Sequence, residues 1–231
     1  MPTITDKEFG TITLRRSVRA SHVRIRVAPD GRLYASLPLY APLFLVKRLI
    51  ASSRQQLRTL LDSHHSDNIY ESGMQIGKSH TLIVRPTTSK TVSATRHGQQ
   101  IIVMLPPSQD IHEQSVQRTI RDVVAEALRK EAKSYLPKRL AYLATMHGFS
   151  YQKVRFSHAS GRWGSCSSNG TISLNIALMR LPFALIDYVL IHELAHTVHL
   201  NHSPKFWQLV ESAYPNYKRA RQLLKKETPS I

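Results

Sequence analysis

His192-Glu193-Leu194-Ala195-His196 sets two imidazoles four residues apart, with a carboxylate beside the first. On an α-helix that spacing puts both rings on one face, where they can grip the same ion. Glu193 then leans over an open coordination position and can take a proton from a zinc-bound water. The chemistry implied is hydrolysis at a single zinc. The chain carries 12 His in 231 residues. A random chain of this composition would show the pattern roughly 0.02 times, which argues against two incidental histidines on an ordinary helix.

Two histidines leave a catalytic zinc one protein ligand short. The nearby candidates are His199, His202 and Glu211. His199 returns to the face of His192, but its backbone lies about 7 Å along the axis from an ion held between His192 and His196. It reads as a cap on the helix end or as a cleft residue. His202 reaches the ion only if the helix stops first. Asn201 tolerates the left-handed conformation that ends helices. Ser203-Pro204 reads as an N-cap followed by proline at the first position of a new helix. His202 is therefore the expected third ligand, with Glu211 as the alternative.

The elements that must position these residues begin with strands. Residues 11–15 and 22–27 alternate, and residues 33–37 alternate back after a turn at Pro29-Asp30-Gly31, which is a hairpin pattern. Leu43, Val46, Ile50, Leu57, Leu60 and Leu61 make a helical stripe over residues 42–64. Hairpin-like stretches follow at 74–84 and 92–105, the second turning at His97-Gly98. Pro106-Pro107-Ser108 is the best boundary signal. Beyond it, residues 113–146 read as a long helix that Pro137 breaks or kinks. Residues 154–156 and 171–175 read as strands flanking a loop at 160–170, and Pro182 opens the motif helix. The expected architecture is α+β: a β-hairpin-rich region with one helix over residues 1–108, then a catalytic domain over 109–231.

Composition narrows the setting. No apolar stretch is long enough to span a bilayer, and the N-terminus lacks a secretory pattern. The single cysteine, Cys166, excludes an internal disulfide and fits a reducing cytoplasm. The formal charge is +17, with 15 basic against 7 acidic residues before position 111 and 17 against 8 after it. The excess is spread over the whole chain and does not form a tail. Such a surface suits either solubility or polyanion contact.

His192-Glu193-Leu194-Ala195-His196, then Asn201-His202-Ser203-Pro204 and Phe206-Trp207, resembles the YgjP-like metallopeptidases, relatives of the SprT-like zincins. Arg162-Trp163-Gly164-Ser165-Cys166 and Pro215-Asn216-Tyr217-Lys218 fit the same family, so the resemblance runs from about residue 11 to 226. It implies a zincin-like domain in which His192, His196 and His202 bind zinc and Glu193 is the active glutamate. The spacing from His196 to His202 is also similar to that of the metzincins, but His199 stands where they have glycine. Members of the family are also described as metal-dependent pyrophosphatases of nucleoside triphosphates such as UTP. The same site physics permits attack on a carbonyl or on a phosphoryl group.

Other residues have two readings each. Arg162, Trp163 and Gly164 precede a strand that in zincins binds extended substrate by backbone pairing. Gly164 allows close approach, Trp163 walls a pocket, and Arg162 suits a substrate carboxylate or phosphate. Cys166 reads as a packed thiol or a reactive one. Phe206, Trp207 and Val210 read as packing behind His202. Tyr188 reads as cleft rim or core, and Tyr214 and Tyr217 are candidate oxyanion donors. Asp187 reads as an acceptor for an imidazole N–H or a surface charge. Lys218, Arg219, Arg221, Lys225 and Lys226 make a basic helix anchored by Leu223 and Leu224. Three functions follow in order: a zinc metallopeptidase, a nucleoside triphosphate pyrophosphatase, and a nucleic-acid-associated protein with a vestigial metal site.

Overall fold

The computed structural model describes residues 2–18, 20–27, 33–66, 69–159 and 161–231. The chain divides into two compact units, Met1–Ile69 and Tyr70–Ile231. In the first, β1 (Thr3–Asp6), β2 (Gly10–Arg16), β3 (Arg24–Val27) and β4 (Leu33–Leu37) form a sheet ordered β1-β2-β4-β3. The expected pairing of β3 with β4 is antiparallel, with Val27 opposite Leu33. Its turn at Pro29-Asp30-Gly31 lies outside the described residues. Alternation sends Ile12, Leu14, Leu33, Ala35 and Leu37 to a buried face.

The helical stripe folds as two helices where one was expected, α1 (Leu43–Ser52) and α2 (Arg54–Ser66). Ser53, at φ −116° and ψ 18°, leaves helical geometry between them. Val46, Ile50 and Leu57 join the core of the sheet, whereas Leu43 is exposed; the side chain of Leu60 lies outside the description. Arg54 donates to Asp6 at 2.9 Å and to Glu8 at 2.7 Å, and Arg58 donates to Glu8, tying α2 to the β1–β2 turn.

The second unit opens with β5 (Gln75–Ile76), β6 (His80–Pro86), β7 (Ser93–His97) and β8 (Gln100–Leu105), ordered β5-β6-β8-β7. Both expected hairpins are present, with β6 and β8 pairing in parallel between them. The apolar face of this sheet shares a core with α3 (Gln114–His147) through Leu82, Ile101, Val103, Ile120, Val124 and Leu128. The division therefore falls at Ile69, not at the expected Pro106–Ser108 boundary. The strands of 75–105 bury their apolar face in the same core as α3, across that proline run. α3 runs unbroken through Pro137. Proline there removes the amide donor to the Lys133 carbonyl, and the fully buried Leu136 and Leu140 hold the helix together on either side. The start of the unit is fastened by Gln117, whose buried amide accepts from Tyr70 N at 2.8 Å and donates to Tyr70 O at 2.9 Å.

Three further strands make a small sheet: β9 (Lys153–Ser157), β10 (Gly164–Cys166) and β11 (Thr171–Asn175), ordered β10-β11-β9. The stretch 160–170 expected as a loop thus contains an edge strand, β10, antiparallel to β11. A short 3-10 turn, Ile176–Arg180, leads to α4 (Phe183–Ala195), α5 (Pro204–Ala213) and α6 (Tyr217–Leu224). α4 is buried on nearly every side, through Leu185, Ile186, Val189, Leu190 and Leu194. Asp187 departs from both of its expected roles. It accepts two hydrogen bonds from the Arg139 guanidinium, each 2.7 Å, and so locks α4 to α3. The α+β expectation holds. Among the described residues no helix is long and apolar enough to cross a membrane.

Candidate metal centre

His192 stands near the end of α4, where the helix closes sooner than expected. Thr197 N and its hydroxyl donate to Leu194 O at 2.9 and 2.7 Å, and Val198 N and His199 N both donate to Ala195 O. These tightened bonds stop the helix at Ala195. Asn201 is not the stop, and no described non-glycine residue has a positive φ. The restart is as expected: Ser203 Oγ accepts from Phe206 N at 3.4 Å, with Pro204 first in α5. His202 sits in the turn between α4 and α5 and faces back toward α4.

One nitrogen each of His192, His196 and His202 lie within 4.8 Å of one another. His202 Nε2 is 3.1 Å from His192 Nε2. Two imidazoles on one tetrahedral zinc would hold their nitrogens about 3.3 Å apart. His196 Nδ1 lies 3.0 Å from the His199 carbonyl, which selects the tautomer that leaves Nε2 free as a ligand atom. His199 thus serves the site through its backbone, and its ring is outside the cluster. Glu211, the alternative ligand, is also outside it, exposed and 3.7 Å from Lys218.

Aromatic packing fixes the three rings. The buried Phe206 stacks on His196 with centroids 4.4 Å apart and meets His192 and His202 edge-on. Trp207 stacks on His202 at 5.5 Å, and Tyr217 stacks on Trp207 at 5.4 Å.

Electrostatics agree with a cation site. Burial first, then His196, His202 and Arg221, press His192 down to about 3, so it offers a neutral lone pair. Burial, then His196 and Arg221, lower His202 as well. Glu193 is 5 % exposed. Burial pushes its carboxyl up to about 8, partly offset by Arg162, and its buried Oε2 has no hydrogen-bond partner. A buried polar atom without a partner is costly unless an ion or water meets it. Three imidazole nitrogens beside such a carboxyl are the donor set of a borderline divalent metal.

β10 forms the adjoining wall. A Cβ built on Gly164 would lie 2.6 Å from Glu193 Oε1, so only glycine lets the strand approach this closely. Trp163, Gly164, Tyr188, His192 and Glu193 line a cleft of about 200 Å³. Trp163 and Gly164 thus line the cleft beside the motif helix. Arg162 is exposed beside them, with no carboxylate within ion-pair distance among the described residues. Burial, with Glu193 next, pushes the Cys166 thiol up and keeps it protonated, which favours the packed reading over the reactive one.

Tyr188 is buried with its ring 6.0 Å from His192. Tyr214 spends its hydroxyl on Ala184 O at 3.0 Å. α6 is anchored by Tyr217 and Ala220, whereas Leu223 is exposed. Arg221, expected only as one charge of a basic helix, places its guanidinium 4.6 Å above the Trp207 ring. The signal for that placement was its spacing: four residues after Tyr217, it shares that residue's helical face.

A family model described as YgjP-like, metallopeptidase domain, matches residues 21–227. Among solved structures, the metallopeptidase zymogen of Pyrococcus abyssi abylysin is 29 % identical, with a TM-score of 0.36, over 39 % of this chain and 92 % of its own. No curated protein matches the chain.

Proposed function

The chain belongs to the YgjP-like metallopeptidase family, and from that premise we propose that it hydrolyses peptide bonds with one zinc ion held by His192, His196 and His202. The observation that carries this reading is the convergence of three imidazoles beside a buried carboxyl whose Oε2 has no hydrogen-bond partner. Zinc bound there supplies Lewis acidity, bringing a water's pKa near 7 and polarising the scissile carbonyl. The chain's own residues do the rest. Glu193 accepts the proton of the attacking water and returns it to the leaving amine. The free edge of β10 pairs with an extended peptide, and Gly164 brings that edge against Glu193. Trp163 and Tyr188 exclude water from the cleft.

A second reading is a nucleoside triphosphate pyrophosphatase. It is favoured by Arg162 and Arg221, two guanidiniums near the site that form no ion pair with a carboxylate among the described residues. Contact with nucleic acid through the basic surface stands as a further proposal. The cysteine-poor chain suits a cytoplasmic setting.

The test is one comparison. Zinc-loaded protein and its Glu193→Gln variant are offered casein, a peptide library and a panel of nucleoside triphosphates. Peptide cleavage that disappears in the variant supports the peptidase. Phosphate release without peptide cleavage overturns it in favour of the second reading.

A further inference from the structure

Between the second sheet, α3 and the start of α4 lies a separate cavity of about 450 Å³ that shares no residue with the metal centre. We propose that it binds a small anion carrying a planar ring.

Its inner wall is a built polar group. Glu131 Oε1 accepts from Ser79 N, the Ser79 hydroxyl and His80 Nδ1 at 2.9, 2.7 and 2.6 Å, and Oε2 accepts from Lys78 N at 2.7 Å. Both carboxylate oxygens are therefore engaged by the turn. Gly77, at φ 63°, is pressed so close that a Cβ there would stand 2.2 Å from Glu131 Oε2, so the carboxylate cannot swing away. The His80 side chain is 4 % exposed. With Nδ1 committed, its Nε2 is the ring atom left for a ligand, and it has no partner among the described residues.

Two lysines face the cavity around this wall. Lys78 and Lys130 line the cavity; Lys78 Nζ donates one hydrogen bond to the Leu181 carbonyl, and neither lysine meets a carboxylate in an ion pair among the described residues. Lys78 Nζ sits 4.7 Å over the Phe183 ring. Tyr135, Phe183 and Met179 supply an apolar side to the cavity. Phe183 is 52 % exposed at the mouth, its ring 5.3 Å from that of Tyr135, with the buried Met179 behind. A large exposed phenylalanine beside a tyrosine offers a face for ring stacking. The two lysine ammonium groups offer charge-assisted hydrogen bonds to an anion, and His80 Nε2 can accept from an N–H or O–H of the ligand. The size and the mixture of an apolar lining with a few convergent polar groups are those of a small-molecule site.

Calorimetric titration of the full chain with 5′-AMP and with benzoate tests this. At least one probe should bind saturably. Lys130→Ala and Phe183→Ala should each weaken it roughly tenfold or more. Both residues are exposed, and an unchanged melting temperature checks that the variants fold. His196→Ala should leave binding intact. Adenosine and inorganic phosphate, each holding one half of the ligand, should bind more weakly than 5′-AMP. The proposal is overturned if neither probe binds, if both surface variants bind normally, or if binding vanishes in His196→Ala. Adenosine binding as tightly as 5′-AMP overturns the anion requirement. None of these outcomes depends on which bond the metal centre cuts.

Discussion

Gly164 and Glu193 are in contact across β10 and α4 so closely that the glycine leaves no room for a methyl group, which would meet Glu193 Oε1 at 2.6 Å and its Cγ and Cδ at 2.8 Å. The strand edge that would receive a substrate and the carboxyl that would take a proton are thus set by one contact. Gly164→Ala is expected to displace Glu193 while leaving the three imidazoles in place. The turnover number should fall roughly 10²-fold with zinc content unchanged. Metal analysis beside steady-state kinetics decides the matter, since joint loss of metal and activity would point to unfolding.

The ligand assignment separates His202 from His199. His202→Ala removes one of the three converging nitrogens and should abolish stoichiometric zinc. His199→Ala retains the carbonyl that receives His196 Nδ1 and should keep the metal. Zinc retained by His202→Ala would return Glu211 to consideration.

Metal and fold should be linked, because three ring nitrogens packed on Phe206 face one another with no cation between them when the ion is removed. Chelation is expected to lower the melting temperature, and stoichiometric zinc to restore it. A melting temperature indifferent to chelator would argue that no ion is held here.

The Arg139–Asp187 pair is half-buried and bidentate. Asp187→Ala leaves the Arg139 guanidinium without its acceptor and should destabilise the second unit by about 1–3 kcal/mol. Chemical denaturation of wild type and variant measures this. A difference near zero would mean that α3 and α4 are held by apolar packing alone.

Acid should loosen the first unit. The Glu8 backbone amide and the Arg54 guanidinium hold the Asp6 carboxyl below its usual value, and Arg58 and Arg54 do the same for Glu8. A carboxyl with a depressed folded pKa contributes stability that is present above about pH 4 and lost as pH falls through the folded value. Asp6→Asn should therefore destabilise at pH 6, and the gap to wild type should narrow as pH falls through the lowered folded value. A gap independent of pH would sink the electrostatic account.

Local chemistry made much of this molecule readable in advance. The His192–His196 spacing, the Ser203-Pro204 restart and the alternating strands each follow from neighbours within a few residues. What escaped depended on partners far along the chain. Asp187 meets Arg139 across 48 positions, which no helical wheel of α4 reveals. The unit boundary lies before residues 70–105 because their apolar face needs α3, although Pro106-Pro107 is the stronger local punctuation. α4 ends at Ala195 through the Thr197 hydroxyl and bonds to the carbonyls three residues back. A search for left-handed residues looks elsewhere. Pro137 leaves α3 unbroken because leucines buried on both sides outweigh one lost hydrogen bond.

Gln117 gives the second unit a mechanical character. Its amide grips both backbone groups of Tyr70 and also the Ile111 carbonyl at 2.9 Å, standing in for a strand where none is available. A tug arriving along the chain from residue 69 is therefore delivered to a 34-residue helix before it reaches the sheet beyond, as a mooring line is made fast to the keel. Gln117→Leu would orphan two buried backbone groups at once and let that load pass to β5 and β6.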